Sequence, residues 1–212
     1  MPEIKYDKLQ NYLTTLVPPR EPVLQEMEEY AEKNGFPALG PVCGYYCYQL
    51  ARMIRAKSVF ELGSGYGYST AWFAKAVREN GGGIVHHTVC DDKLSAMAKE
   101  YLDRLGFDDL IEYHNAEAVE TLRQTAGTFD IIFNDIDKEG YPDSLPVIKS
   151  KLRSGGLLII DNMIWHGQIL DPKDREKSTQ AIRRFTRDVT TDSDWIVSLT
   201  PIRDGMIVAY KK

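Results

Sequence analysis

Two groups of polar residues stand directly after apolar runs, and their types are those that hold a hard metal ion. Asp135, Asp137 and Lys138 follow Ile131-Ile132-Phe133, and Asp161-Asn162 follows Leu157-Leu158-Ile159-Ile160. An acid just after a β-rich apolar run lies at the carboxyl rim of a sheet, where α/β proteins build their sites. Two carboxylates and a carboxamide form an all-oxygen donor set suited to Mg²⁺, with waters completing an octahedron. Each group also has a plainer reading, in which Asp161-Asn162 turns the chain and Asp135 caps the next helix. Two such groups at adjacent strand ends favour a site. Lys138 adds chemistry to it. A cation bound to a hydroxyl lowers the hydroxyl pKa, and a lysine whose own pKa is depressed by that cation can take the proton. Lys138 stands three residues beyond Asp135, within reach of that position; away from such neighbours a lysine reads as a solvated surface charge.

A third feature belongs to the same rim. Glu61-Leu62-Gly63-Ser64-Gly65-Tyr66-Gly67-Tyr68-Ser69 links a short apolar strand to a helix. Gly63, Gly65 and Gly67 let the backbone approach a ligand where a Cβ would collide. The spacing G-x-G-x-G fits the dinucleotide fingerprint poorly, and no Lys-Ser/Thr is present to make a phosphate loop. Glu61 would repel a pyrophosphate but suits a cationic ligand. S-adenosylmethionine (SAM), with an ammonium, a sulfonium and no phosphate, meets that description. Methyl transfer from a sulfonium is an in-line displacement that needs an oxygen nucleophile held near the methyl group. An acid at the end of the second strand commonly receives a ribose. Asp91 and Asp92 lie there, and both are also ordinary N-cap residues for the helix that follows. Glu117-Ala118, after the third strand, falls where an adenine contact belongs.

The elements that must position these residues follow from the pattern of the chain. At 212 residues with a formal charge of −5, one α/β domain with a terminal extension is expected, with no basic stripe for nucleic acid or an anionic membrane. A chain of this size buries roughly 70% of its unfolded surface without a disulfide or structural metal. No apolar run reaches about 18 residues, so a soluble, cytoplasmic protein is expected. Cys43 and Cys47 are spaced i, i+4; with histidine scarce and no second Cys/His pair at zinc spacing, they read as buried structural thiols. Residues 1–40 read as a helical extension and 41–212 as the main domain. The extension is either a cap or subunit contact, or a set of plain core helices. Strands are expected at SVFEL, IVHHTVC, LIEYHN, FDIIFNDID and LLIIDN. Helices lie between them, the Gly155-Gly156 pair ends the fourth of these, and a further helix covers AIRRFTRDVT. A final hairpin turns at Arg203-Asp204-Gly205. The class is α/β: a mostly parallel, doubly wound sheet with an antiparallel C-terminal hairpin and N-terminal helices.

Taken together, LTTLVPPREPVLQEMEEYA, VFELGSGYGYSTAW, FDIIFNDIDKEGYP, LRSGGLLIIDNMIWHG and RDGMIVAYKK resemble the cation-dependent O-methyltransferases of the catechol and caffeoyl-CoA type, including their small bacterial relatives. The resemblance runs from about Leu13 to the end. It implies a Rossmann-like methyltransferase fold, a homodimer, SAM as cofactor, and Mg²⁺ or another divalent cation such as Mn²⁺ or Ca²⁺. The metal would be held by Asp135, Asp161 and Asn162, with Lys138 as catalytic base. Glu61, Gly63, Ser64, Ser69, Ala118, Asp135 and Asp137 would line the cofactor site with the backbone around Leu39 to Gly44, and Trp165 and His166 would meet substrate. Three departures stand out. The family's ribose acid should fall at Val89, which moves that expectation to Asp91; Asn134 replaces an apolar residue; and Glu117 replaces an aspartate. The expected substrate is a catechol or vicinal diol, whose adjacent oxygens chelate the metal. A hydroxylated tRNA nucleoside is the alternative acceptor, with Arg52, Arg55, Arg183, Arg184 and Arg187 as its patch. A non-catalytic binding module of the same fold is disfavoured by the intact polar set.

Overall fold

A computed structural model describes residues 5–212. Its two central strands carry the most apolar segments of the chain. In β1 (Ser58–Leu62) and β4 (Phe129–Asn134) almost every residue is buried, as both faces of a parallel strand must be when helices cover the sheet. Beside them run β2 (Ile84–Thr88) and β3 (Ile111–His114) on one side, and β5 (Leu152–Ile160), β7 (Met206–Lys211) and β6 (Trp195–Thr200) on the other. The order is β3-β2-β1-β4-β5-β7-β6, with β7 antiparallel to both neighbours and the other pairings parallel. Strand order reverses between β1 and β4. That switch point is where a doubly wound sheet opens a crevice for a ligand.

Helices cover both faces. Residues of α2 (Pro22–Asn34), α3 (Gly40–Met53), α4 (Tyr68–Glu79) and α5 (Asp92–Arg104) form one buried cluster, with Met27, Cys43, Cys47, Phe73 and Leu102 all inaccessible. The opposite cluster is built by α6 (Ala118–Gln124), α7 (Tyr141–Lys151) and α8 (Lys177–Thr191) around Ile148, Ile182 and Phe185. The N-terminal helices differ from each other. Helix α1 (Tyr6–Thr15) buries none of its residues, whereas α2 sinks Leu24, Met27 and Ala31 and is tied down where Tyr66 Oη donates to the Met27 carbonyl at 2.9 Å.

Helix α3 begins at Gly40, because Leu39 already turns into helical backbone and Pro41 suits a first turn. Two boundaries differ from those expected. The Gly155-Gly156 pair does not end α7. That helix stops at Lys151, and Leu152 already pairs with Phe129, so the glycines lie inside β5 beside a register shift. Helix α8 starts at Lys177, ahead of the expected Ala181, and buries Thr179.

Candidate active site

The rim of the sheet above the switch point opens into a cavity of about 990 Å³. The glycine-rich turn forms one wall. Gly63 has φ +84°, and a Cβ there would lie 2.6 Å from the Asp135 carbonyl oxygen, so only glycine lets the ends of β1 and β4 come this close. The turn is fastened to the end of β2: Ser64 N donates to the Thr88 carbonyl at 2.9 Å, and Thr88 N donates to Ser64 Oγ at 3.0 Å. Gly67 (φ +90°) then starts α4, and Ser69 lies in its first turn. Phe36 to Leu39, just before α3, close the opposite side, slightly upstream of the Leu39 to Gly44 segment expected there.

Of the expected cofactor residues, Gly63, Ser64, Ser69, Glu117, Ala118, Asp135 and Asp137 line this cavity. Glu61 does not; it is fully buried, with the hydroxyls of Ser64, Ser69 and Thr70 near its carboxylate but none in good hydrogen-bond geometry among the described residues. Burial pushes its pKa up to about 7, and those hydroxyls oppose the rise. A buried acid with no cationic partner is a receptive place for positive charge. Asp91 also lies outside the cavity lining. Its Oδ1 accepts from Lys93 N at 2.8 Å and Leu94 N at 3.0 Å, so the structure uses it as the N-cap of α5. The lining at that edge is Thr88, Val89 and Cys90, which gives the ribose expectation for Asp91 no geometric support. Glu117 is likewise an N-cap, with its two oxygens accepting from Val119 N and Glu120 N.

The residues expected to hold a metal are brought together by the parallel pairing of β4 and β5, which places Asn134 opposite Ile160 and so sets Asp135 beside Asp161. Each residue is pinned through one atom. Lys138 Nζ donates to Asp135 Oδ1 at 2.7 Å and to the Ile136 carbonyl at 3.3 Å. Arg203 Nη1 donates to Asp161 Oδ2 at 2.8 Å, while Asp161 Oδ1 is buried with no partner among the described residues. Asn162 Nδ2 donates to Asp204 Oδ2 at 3.2 Å, which leaves its carbonyl oxygen as the outward donor atom. Burial raises the pKa of both acids, that of Asp161 to about 7; Asp135 adds to the effect at Asp161, and Lys138 and Arg203 oppose it. Asp135 and Asn162 line the cavity, whereas Asp161 is buried and does not. Two neighbouring carboxylates held against their preference for a proton fit a bound divalent cation.

Arg203 and Asp204 escaped the sequence reading because Arg-Asp-Gly was explained fully as a turn. The connection between β6 and β7 spans 201–205, longer than a two-residue hairpin turn needs, and that excess was the available signal. Asp204 is buried and also accepts from His166 N at 2.6 Å, so the hairpin holds the loop after β5 from two points. The backbone here is strained. Five non-glycine residues among those described have positive φ, and Asn162, Trp165, His166 and Arg203 are four of them. Such strain collects at functional sites because the surrounding contacts must over-determine it. Trp165 and His166 both line the cavity, His166 largely exposed.

A doubly wound sheet whose switch-point cavity joins a glycine turn to a set of buried acids defines an enzyme that handles a cationic nucleoside cofactor. Comparison with known proteins gives the particular family. An O-methyltransferase family model matches residues 19–212. A catechol O-methyltransferase of Niastella koreensis is 30% identical over 218 residues, covering 98% of each chain. The crystal structure of an O-methyltransferase from Bacillus cereus in complex with S-adenosylhomocysteine (SAH) superposes with a TM-score of 0.87 at 25% identity, covering 97% of both chains. An O-methyltransferase of Streptomyces achromogenes crystallised with SAM shares the fold, with a TM-score of 0.87 at 23% identity over 99% of this chain and all of that one. The chain belongs to the O-methyltransferase family and is a SAM-dependent enzyme.

Proposed function

We propose that this enzyme methylates one hydroxyl of a catechol-like or vicinal-diol small molecule with the help of a divalent cation, Mg²⁺ in the first instance. The observation that carries the reading is the division of labour at Asp135, Asp161 and Asn162. Each is fixed by a hydrogen bond through one terminal atom, and at Asp161 the other is a buried oxygen without a partner. Pre-oriented oxygens of this kind suit a hard cation. The catechol name of the Niastella relative agrees with a chelating acceptor.

SAM supplies the methyl group, and a bound cation lowers the pKa of the acceptor hydroxyl and orients it. The chain supplies the rest. Asp135, Asp161 and Asn162 hold the cation, and Lys138 Nζ, on the cavity wall beside Asp135, takes the hydroxyl proton. Gly63, Ser64, Ser69, Ala118 and Asp137 hold the cofactor along the rim, with Glu61 complementing its positive charge from behind. Trp165 and His166 flank the acceptor. The arginines considered for a tRNA patch are largely engaged within the protein: Arg183 donates to the carbonyls of Gln168, Ile169, Asp171 and Asp174, Arg184 and Arg187 face Asp188, and Arg52 faces Glu79. A small acceptor is therefore favoured. For the homodimer, the support is apolar surface on the outer hairpin, where Ile196 and Tyr210 are exposed opposite each other.

The test is methylation of a simple catechol acid such as caffeic acid with SAM. Turnover should require added Mg²⁺ and stop on chelation with EDTA; undiminished activity in EDTA would remove the cation from the reaction.

A further inference from the structure

Three potential metal ligands lie together on β2 and β3, separated by β1 from the strands β4 and β5 that lead to Asp135 and Asp161. The parallel register of β2 and β3 sets His86 opposite Glu112 and Thr88 opposite His114. Residues two apart on a strand share a face, so His86, Glu112 and His114 project to the same side of the sheet. His86 Nδ1 and His114 Nε2 are 3.1 Å apart, and the Glu112 carboxylate oxygens lie 3.6 Å and 3.4 Å from those two nitrogens. Around a tetrahedral ion with ligand distances of about 2.0–2.1 Å, donor atoms are separated by about 3.3–3.4 Å. The nitrogen–nitrogen distance and the two nitrogen–oxygen distances, one to each Glu112 oxygen, bracket that value.

We infer that His86, Glu112 and His114 form a second metal site, for Zn²⁺ or a similar borderline divalent cation, that clasps the outer strands β2 and β3. Its donor set differs in kind from the all-oxygen set at the active site. Two imidazoles and a carboxylate select zinc-class ions, whereas carboxylates and a carboxamide select Mg²⁺. The rings are held in place by packing. Phe60 lies near-parallel to both imidazoles at 5.4 and 6.0 Å, and Phe129 meets His86 edge-on at 5.2 Å. The His86 side chain is 10% exposed and that of Glu112 55%, so one ligand is buried deep while another opens to solvent and gives the ion an entry path. Burial lowers the His86 pKa, opposed by Glu112 and reinforced by His114, which keeps the ring in the neutral form that binds metal. The ion would brace the cofactor wall, because Thr88 to Cys90 and Ala116 to Ala118 line the cavity just beyond these strands.

The test is calorimetric titration of chelator-stripped full-length protein with Zn²⁺ in a large excess of Mg²⁺, which masks the active-site acids. One Zn²⁺ per chain should bind. Affinity should fall at least tenfold in His114→Gln and in Glu112→Gln, and it should be unchanged in Asp161→Asn. Zn²⁺ should also raise the melting temperature of the wild type but not of His114→Gln, both having similar melting temperatures without metal. Co²⁺ at the site should show the intense visible bands of tetrahedral nitrogen-oxygen coordination. Equal Zn²⁺ affinity in wild type and both strand variants would overturn the proposal. So would loss of the ion in Asp161→Asn, or the absence of binding to the wild type. If one variant fails to fold, the other carries the comparison.

Discussion

Asp161 is buried to 1% exposure, where an isolated carboxylate is costly, yet it keeps one oxygen without a partner. Arg203 offsets part of that cost from the other oxygen and prevents the side chain from turning away. Lys138 does the same for Asp135, and its Nζ also lies 5.0 Å from the centre of the Tyr141 ring. In the proposed reaction this amine has a second task, as proton acceptor. Lys138→Ala should therefore lower kcat about 100-fold or more, the usual scale for a general base, while calorimetry shows SAH affinity within about threefold of wild type. Near-normal turnover would remove Lys138 from the proton transfer. The residue types of this site were legible in the chain, because two groups of acids and amides stand directly after adjacent apolar strands, where a single one would read as a cap or a turn. Arg203 and Asp204 were not, since nothing local in Arg-Asp-Gly distinguishes a turn from a turn that grips Asp161 and Asn162.

At the scale of elements, α3 packs directly on α4, and Gly44 is the reason they fit. A Cβ at Gly44 would lie 2.2 Å from Trp72 Nε1 and 2.4 Å from Cδ1. Helix propensity and packing oppose each other here. Replacing glycine by alanine inside a helix ordinarily gains about 0.5–1 kcal/mol, whereas overpacking a full core costs about 1–3 kcal/mol. Packing wins, because Trp72 is itself buried and has little room to move. Gly44→Ala should lower the melting temperature by several degrees in a thermal scan, and an increase would show that the indole can shift. The pattern along the chain gave most elements correctly, as the alternation of two-residue and helical periods is a local property. It failed at Gly155-Gly156, where a helix stop and a close backbone approach look alike. A Cβ at Gly156 would lie 2.9 Å from the Asp130 carbonyl oxygen, a contact made by the neighbouring strand.

For the molecule as a whole, the site is built at the expense of stability. Glu61 has a folded pKa of about 7 against an ordinary 4.5, raised first by burial. The native state thus holds this proton more tightly than the unfolded chain does. The resulting stability is fully present below about pH 4.5 and is lost as pH rises through about 7. Asp135 and Asp161 are shifted in the same direction and act with the same sign. In metal-free, cofactor-free protein, Glu61→Gln should flatten the fall in melting temperature between about pH 5 and 8 and add roughly 1–3 kcal/mol at the upper end. Identical pH profiles for variant and wild type would show that the buried carboxylate is solvated in solution.

By itself the sequence determined the class of the fold, the glycine turn, the acids at two strand ends and the lysine beside them. Each rests on short-range order: the period of apolar residues, the conformational freedom of glycine, and the position of a residue just past the end of a strand. The tertiary structure decided what depends on register and on segments distant in the chain. It turned Asp91 into a helix cap outside the cavity and placed Arg203 and Asp204 against Asp161 and Asn162 across 42 positions of sequence. It also set two histidines and a glutamate side by side across β2 and β3, although no zinc-like spacing is present along the chain. Strand pairing is a non-local choice, stabilised by the burial of whole faces. The neighbours it creates are written in the fold and not in any short stretch of the chain.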